Sequence, residues 1–172
     1  MAIMTGTVQV GADDYDDASS TNTTIRSRQL PNLFIDQDAY FKLHTDVSGG
    51  TITAATVYWY DDYHAKVGKS TNYQGDLQVL SGGTIWVTIY SFDQATAPST
   101  GWKNEALTSG EIAHLVDDGT STFKMHQDTP AVSDSREWYV RAYEYTGVFS
   151  AYIVLEYDEP VVPQRRQRIF VM

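Results

Sequence analysis

The sequence predicts an all-β protein, an antiparallel β-sandwich of about eight or nine strands. The strongest indication is residues 50–63, where apolar side chains alternate with polar or hydroxyl-bearing ones. Ala55, Val57 and Trp59 alternate there with Thr56, Tyr58 and Tyr60. Such a two-residue period places alternate side chains on opposite faces of a sheet. Residues 83–92 and 137–157 have a similar composition, and polar turn residues separate the three stretches, which favours a sandwich over an α/β fold.

The other elements are predicted from the same alternation and from turn residues. We predict strands at residues 5–10, 32–36, 39–45, 50–63, 83–92, 121–127, 137–145 and 151–157. The last two are expected to form a hairpin around the sequence TGVFS. Residues 64–75 are predicted to be a loop at the rim, and residues 94–110, which carry Trp102, an irregular connection. Residues 111–116 fit either one helical turn or a short strand, with Ser109 as a faint cap signal.

The apolar residues of the three strongest strands are predicted to fill the space between two sheets. These core residues are Val57, Trp59, Val87, Ile89, Val140, Ile153 and Leu155.

The composition fits a single globular domain followed by a short arm. The chain has 172 residues, of which 42% are hydrophobic and 20% charged, and this length supports one sizeable core. We assign residues 1–157 to the sandwich and residues 158–172 to an extended C-terminal arm rich in Pro and Arg. The net charge is −10 and the pI about 4.6. The body is therefore expected to repel nucleic acid and anionic membranes.

The chain contains no cysteine, which rules out disulfides, thiol nucleophiles and cysteine–zinc sites. Its first residues, MAIMTGTVQVGADD, lack the basic and apolar regions of a secretory signal. No apolar run reaches the length of a membrane span. We expect no membrane association, and a protein that works outside a cell would leave it by another route, such as lysis.

The C-terminal arm, DEPVVPQRRQRIFVM, differs from the body in composition. Pro160 and Pro163 stop a strand and favour an extended path. The candidate partner-binding residues of the arm are Arg165, Arg166, Arg168, Ile169, Phe170 and Val171. Arginine side chains bind acidic grooves or backbone carbonyls, and the apolar end suits a pocket or an added strand. The alternative is an arm that folds back onto its own domain.

Five segments of the chain resemble, in order, the DNRLRE type of module, the disaggregatase-related repeat. They are residues 13–22 (DDYDDASSTN), 40–43 (YFKL), 50–58 (GTITAATVY), 99–104 (STGWKN) and 150–157 (SAYIVLEY). The resemblance implies a single jelly-roll sandwich, a fold that carbohydrate-binding modules and virion proteins both use.

One acidic cluster is a candidate calcium site. Asp13, Asp14, Asp16 and Asp17 form an acidic cluster, and calcium takes several oxygen ligands. Their spacing does not match a D-x-D-x-D-G loop, so we expect no cofactor and leave calcium as an alternative to a solvated edge strand. The pairs at residues 61–62 and 117–118 are predicted to be solvated strand ends. The four histidines, His44, His64, His114 and His126, show no metal-ligand spacing.

No catalytic motif is present: the chain lacks a G-x-S-x-G elbow, a glycine-rich phosphate loop and a triad signature. We therefore expect a non-enzymatic protein. Strand aromatics are most often core residues or cross-strand pairs. If Trp59 is in the core, Tyr58 and Tyr60 face outward and are the candidate carbohydrate-binding residues.

A glycan lyase or hydrolase would need a cleft with paired carboxylates of perturbed pKa. Besides it, we consider two non-enzymatic functions. The first is a structural virion component, a phage capsid decoration (cement) protein that docks on the major capsid protein and forms a homo-oligomer, with a trimer favoured by analogy with virion jelly rolls. The alternative is a carbohydrate-binding module of a tail or fibre protein, or of an extracellular glycan-degrading system. The first predicts buried aromatics and an anchored arm, and the second predicts exposed aromatic rings and binding of glycans.

Overall fold

The computed structural model of the protein describes residues 1–7, 14–15, 24–30, 35–67, 74–93, 100–127, 135–141 and 151–160. Of residues 7, 14–15, 24–30, 35–37, 62–67, 74, 93, 127 and 135–141 it describes the backbone alone. These ranges consist mainly of antiparallel strands in two sheets. The predicted all-β sandwich is therefore confirmed.

The strands within these ranges, in chain order, are β1 (Ala2–Thr7), β2 (Asp14–Tyr15), β3 (Thr24–Leu30), β4 (Ile35–Gln37), β5 (Ala39–His44), β6 (Thr51–Val67), β7 (Gln74–Ser81), β8 (Ile85–Asp93), β9 (Gly101–Ala106), β10 (Thr120–Gln127), β11 (Ser135–Arg141) and β12 (Tyr152–Asp158). One helical turn, α1 (Ser109–Ile112), lies between β9 and β10.

The long strand β6 organises the first sheet. β9 pairs with its middle, from Thr56 to Asp61. β12 and β11 also pair with residues of that same stretch, Tyr58 and Asp61 respectively. A residue can pair with only one strand on each edge, so β11 and β12 both lie on the edge opposite β9. They run in line along β6 as one interrupted strand, and the predicted hairpin between them is wrong.

The next strand position in the sheet, on the side away from β6, is also shared by two strands. β1 pairs with β12, and β3 pairs with β11, so β1 and β3 form a second interrupted column. The first sheet therefore has the order β1/β3, β12/β11, β6, β9, with β4 beside β3. The second sheet has the order β5, β10, β7, β8, with β2 beside β5. β1 and β12, the first and last strands in the described chain, are therefore neighbours. If each interrupted column is counted as one strand, each sheet has four main strands. Both sheets take strands from both halves of the chain, as in a jelly roll of eight strands.

The core lies between the two sheets, as the alternation of β6 predicted. Trp59 is 1% exposed and packs against Tyr90, with ring centroids 5.1 Å apart. Phe41 of β5 and Phe123 of β10 stack at 5.4 Å. Of the predicted core residues, Val57, Trp59, Ile89, Ile153 and Leu155 are buried, and Val87 is partly buried against them. The side chain of Val140 lies outside the described ones.

Two predicted loops are wrong. The rim loop predicted at residues 64–75 overlaps two strands, because β6 continues to Val67 and β7 starts at Gln74; residues 68–73 lie outside the described ones. The predicted irregular connection contains β9. β9 exposes Trp102 on one face and carries the partly buried Lys103 and Glu105 on the other. Neither face is uniformly apolar, so the sequence lacks the alternation that marks a strand.

The segment after β9 forms the helical turn, one of the two predicted possibilities. Its N-cap is Thr108 rather than Ser109. The Thr108 hydroxyl accepts a hydrogen bond from the Glu111 backbone N–H at 3.4 Å, and the Glu111 carboxylate accepts one from the Thr108 N–H at 2.6 Å. This reciprocal capping box satisfies donors that a helix start leaves unpaired.

Candidate functional site

Four aromatic side chains meet on the outer face of the first sheet. They are Tyr58 and Tyr60 of β6, Trp102 of β9 and Tyr152 of β12, and we call them the outer aromatic cluster. Because Trp59 faces the core, the pleat of β6 directs its two neighbouring tyrosines outward. Both residues are intermediate in burial. The prediction that they face outward is confirmed.

The strand register brings the four rings together. Tyr152 lies directly opposite Tyr58, and Trp102 directly opposite Tyr60. Tyr58 and Tyr152 stack with ring centroids 4.6 Å apart and planes 7° from parallel. Trp102 meets Tyr60 at 5.7 Å and 89°, and Tyr152 at 5.5 Å and 67°. The cluster is thus held by three ring contacts.

The Trp102–Tyr152 contact spans β6. The two residues belong to strands on opposite edges of β6, and backbones two strands apart are separated by roughly 9–10 Å. Their ring centroids are nevertheless 5.5 Å apart, so these side chains meet above β6. Trp102 is 42% exposed, whereas the three tyrosines are only partly exposed. Trp102 is therefore the most accessible ring of the cluster.

The described side chains next to the cluster are uncharged. Asn104 lies opposite Tyr58 on β9 and is exposed. The next registered row across the outer face consists of Thr5, Val154, Thr56 and Ala106. Burial and the adjacent Tyr58 raise the pKa of Tyr152, so its phenol stays protonated at neutral pH. In a chain with a net charge of −10, the described side chains of these rows are neutral.

A different group lies on the outer face of the second sheet. The Asp38 carboxylate contacts the Lys124 Nζ at 3.4 Å and the His126 Nδ1 at 2.8 Å. Lys124 also lies 4.7 Å from the centre of the Trp86 ring. We call this group the Asp38–Lys124 network. Since each of these polar groups already contacts another member, the network is best explained as a stabilising feature of the sheet.

Acidic residues also lie in and near the core. Asp61 is fully buried, so its prediction as a solvated strand end is wrong: β6 continues to Val67 and position 61 faces inward like Trp59. Asp117 and Asp118 are exposed, as predicted. Burial, then Asp61 and Glu105, raise the pKa of Tyr90. Among the described residues, no three His, Asp or Glu side chains form a group suited to a metal ion.

The sequence does not show how the cluster is assembled. Trp102 falls in a predicted irregular connection, so its register with Tyr60 does not follow from the sequence. Tyr152 belongs to a nearly continuous apolar run, AYIVLEY, in which the outward positions cannot be read from the pattern. The only signal was the position of the flanking residues Ile153 and Leu155, which are buried and alternate with it.

Several predicted site residues lie outside the described residues. All six candidate residues of the arm, from Arg165 to Val171, belong to this group, as do Asp13, Asp16 and Asp17. Asp14 lies in β2, of which only the backbone is described. The predictions of an anchoring arm and of a calcium alternative therefore stay predictions.

No protein-family model matches this chain, and no curated protein matches it either. The resemblance to the DNRLRE type of module therefore stays a prediction. In the part of the chain that the structure describes, no helix has the length and hydropathy needed to cross a membrane.

Proposed function

We propose that the protein is a non-enzymatic structural component of a virus particle, a phage capsid decoration (cement) protein. In this proposal the jelly roll is the body, and the arm docks on the major capsid protein of the shell. The observation that supports it is the position where the sandwich ends. Asp158, the last residue of β12, is opposite Thr51 and exposed, and Glu159 and Pro160 are exposed as well. The arm therefore starts at the protein surface.

The chemistry of the arm suits docking. Its prolines restrict the unbound chain and so lower the entropy lost on binding. Its apolar residues contribute about 1.5–3 kcal/mol for each large side chain that is fully buried. The three arginines add charge-assisted hydrogen bonds, and these make binding sensitive to salt.

The test is a truncation that removes residues 161–172. We expect the truncated protein to keep its melting temperature and to lose co-sedimentation with particles of the virus that encodes it. A matched variant replaces Ile169, Phe170 and Val171 by Ser and keeps the arginines. It should bind more weakly and with a stronger relative dependence on salt. Unchanged binding by the truncated protein would show that the arm is not the anchor.

A second candidate function is a carbohydrate-binding module of a tail or fibre protein or of a glycan-degrading system. One observation favours it, namely that the outer aromatic cluster faces away from the core and exposes 42% of Trp102. Aromatic rings bind the apolar faces of sugars, whereas capsid docking through the arm requires no exposed ring on this face. The two candidates thus use different parts of the chain.

A further inference from the structure

We infer that the outer aromatic cluster is a binding site for an uncharged glycan, in which the Trp102 indole stacks on the face of one sugar ring. This inference rests on the second candidate function and extends it to a particular residue and ligand class. It is independent of the arm.

The first argument is the exposure of a fixed ring. Trp102 is the one aromatic among the large hydrophobic side chains that are exposed in the described residues. It contacts Tyr60 and Tyr152 at steep angles, 89° and 67°. These contacts restrict its rotamers, so little side-chain entropy remains to be lost when a ligand stacks on it. A preorganised exposed indole is suited to binding.

The second argument is the placement of hydrogen-bonding groups beside the ring. A sugar has an apolar C–H face and a rim of hydroxyl groups. Asn104 lies two residues from Trp102 on the same face of β9, about 7 Å along the strand, and its amide is exposed. The amide can donate to one hydroxyl and accept from another. The ring therefore meets the C–H face while Asn104 reaches the rim.

The third argument concerns charge. The registered rows around the cluster contain Thr, Asn, Ala and Val but no cation among their described side chains. Lys103, the basic residue on β9, belongs to the opposite face and is partly buried. Among the side chains that the structure describes around the cluster, none would give a sulfated or uronic acid glycan a countercharge, and the acidic body would repel such a ligand. The described surface therefore favours a neutral glycan.

The size of the exposed patch favours a sugar over a folded partner. A stable protein interface buries about 800 Å² on each side, whereas this cluster has four side chains, of which only Trp102 is more than partly exposed. The tyrosines around it are partly covered by one another. One stacked sugar ring, with its neighbours lying along the strands, matches this footprint.

The experiment titrates the full chain by calorimetry with neutral hexasaccharides (cello-, xylo-, manno- and chito-oligosaccharides), with polygalacturonate as the anionic comparison. We expect at least one neutral glycan to bind and polygalacturonate not to bind. Trp102→Ala should weaken binding by about tenfold or more, and Asn104→Ala by a smaller factor. Trp102→Phe should keep part of the affinity. Ile85→Ala, which changes a 63% exposed side chain on the other sheet, is the matched control.

The outcomes separate the two ideas. Binding by the wild type that Trp102→Ala leaves unchanged would overturn the site while the carbohydrate function stands. Absence of binding to every glycan would overturn both. Preference for polygalacturonate would overturn the neutral ligand class. If Trp102→Ala instead converts an oligomer into a monomer without any glycan effect, the face is a contact between copies and the inference is wrong.

Discussion

Tyr58 and Tyr152 lie directly opposite each other on β6 and β12, and their rings stack in parallel on the outer face of the first sheet, with centroids 4.6 Å apart. The pair connects β6 and β12, two strands that are far apart in the sequence. The stack also holds the Tyr152 ring in the position where Trp102 contacts it. The same contact therefore supports both the pairing of β6 with β12 and the geometry of the candidate site.

The coupling between these two rings can be measured. Tyr58→Ala, Tyr152→Ala and the double variant form a cycle whose interaction energy should be about 0.5–1.5 kcal/mol, the range for aromatic pairs. Urea unfolding followed by circular dichroism gives the four free energies of unfolding, those of the wild type and of the three variants. Additive effects, within about 0.3 kcal/mol, would contradict a stabilising stack.

Trp59 should be the most costly of the predicted core residues to truncate. Trp59→Ala removes a side chain that is 1% exposed and packed on Tyr90, so we expect a loss of about 3–5 kcal/mol in the free energy of unfolding. Trp59→Phe should cost less, because the indole Nε1 is buried without a hydrogen-bond partner and its removal relieves a desolvation penalty. A melting temperature that Trp59→Ala leaves unchanged would contradict the core assignment.

β6 and β9 show how far the sequence determines the fold and the site. In β6 the apolar residues recur at every second position, so Trp59 could be assigned to the core and Tyr58 to the outside. β9 carries Lys103 and Glu105 on its inner face, and its strand state comes from pairing with β6, a contact between distant segments. Local pattern carries no information about such pairing, so Trp102 could not be placed.

The relation between β11 and β12 has the same cause. Two neighbouring strand-like segments usually form a hairpin, and the residues between them contain a glycine. Here both segments pair with the same edge of β6 in the same direction. The choice between turning back and continuing depends on the partner strand rather than on the local sequence.

Glu105 should make stability depend on pH. Burial, and next the negative charge of Glu111, raise the pKa of Glu105. A raised pKa in the folded state means that ionisation of this carboxyl lowers stability. The contribution of the neutral Glu105 carboxyl to stability is therefore fully present below the unfolded-state pKa and is lost as the pH rises through the folded-state pKa. Glu105→Gln should raise the free energy of unfolding at pH 7, and with it the melting temperature. The gain should be less than about 1 kcal/mol, because the side chain is only partly buried.

The matched control for this experiment is Glu159→Gln, which removes an exposed carboxylate beyond the last strand. Thermal melts at pH 3 and pH 7 give the comparison. The benefit of Glu105→Gln should appear at pH 7 and fade toward pH 3, whereas the control should change little at either pH. A benefit that is larger at pH 3 would contradict the assigned cause.

The Asp38–Lys124 network should depend on its carboxylate. The Lys124 side chain is 11% exposed and contacts Asp38 at 3.4 Å, so Asp38→Asn leaves a nearly buried ammonium group without its countercharge. We expect a loss of about 1–3 kcal/mol. Adding Lys124→Met should recover part of that loss, because it removes the charge and keeps the packing on Trp86. If the double variant is less stable than Asp38→Asn, Lys124 is not the group that requires the carboxylate.

The last prediction concerns assembly. β1 is the terminal strand of the first sheet in the described pairing, it is uncharged along AIMTGT, and Ile3 is 70% exposed. Exposed apolar edge strands associate with other chains unless they are covered or charged. We expect a closed homo-oligomer, with a trimer favoured, in sedimentation velocity at micromolar concentration. Ile3→Lys places a charge on this edge and should shift the protein to a monomer with an unchanged melting curve, whereas Ile85→Lys, on the second sheet, should not. A wild-type monomer throughout this range, or an oligomer that Ile3→Lys leaves intact, would show that β1 does not form the contact.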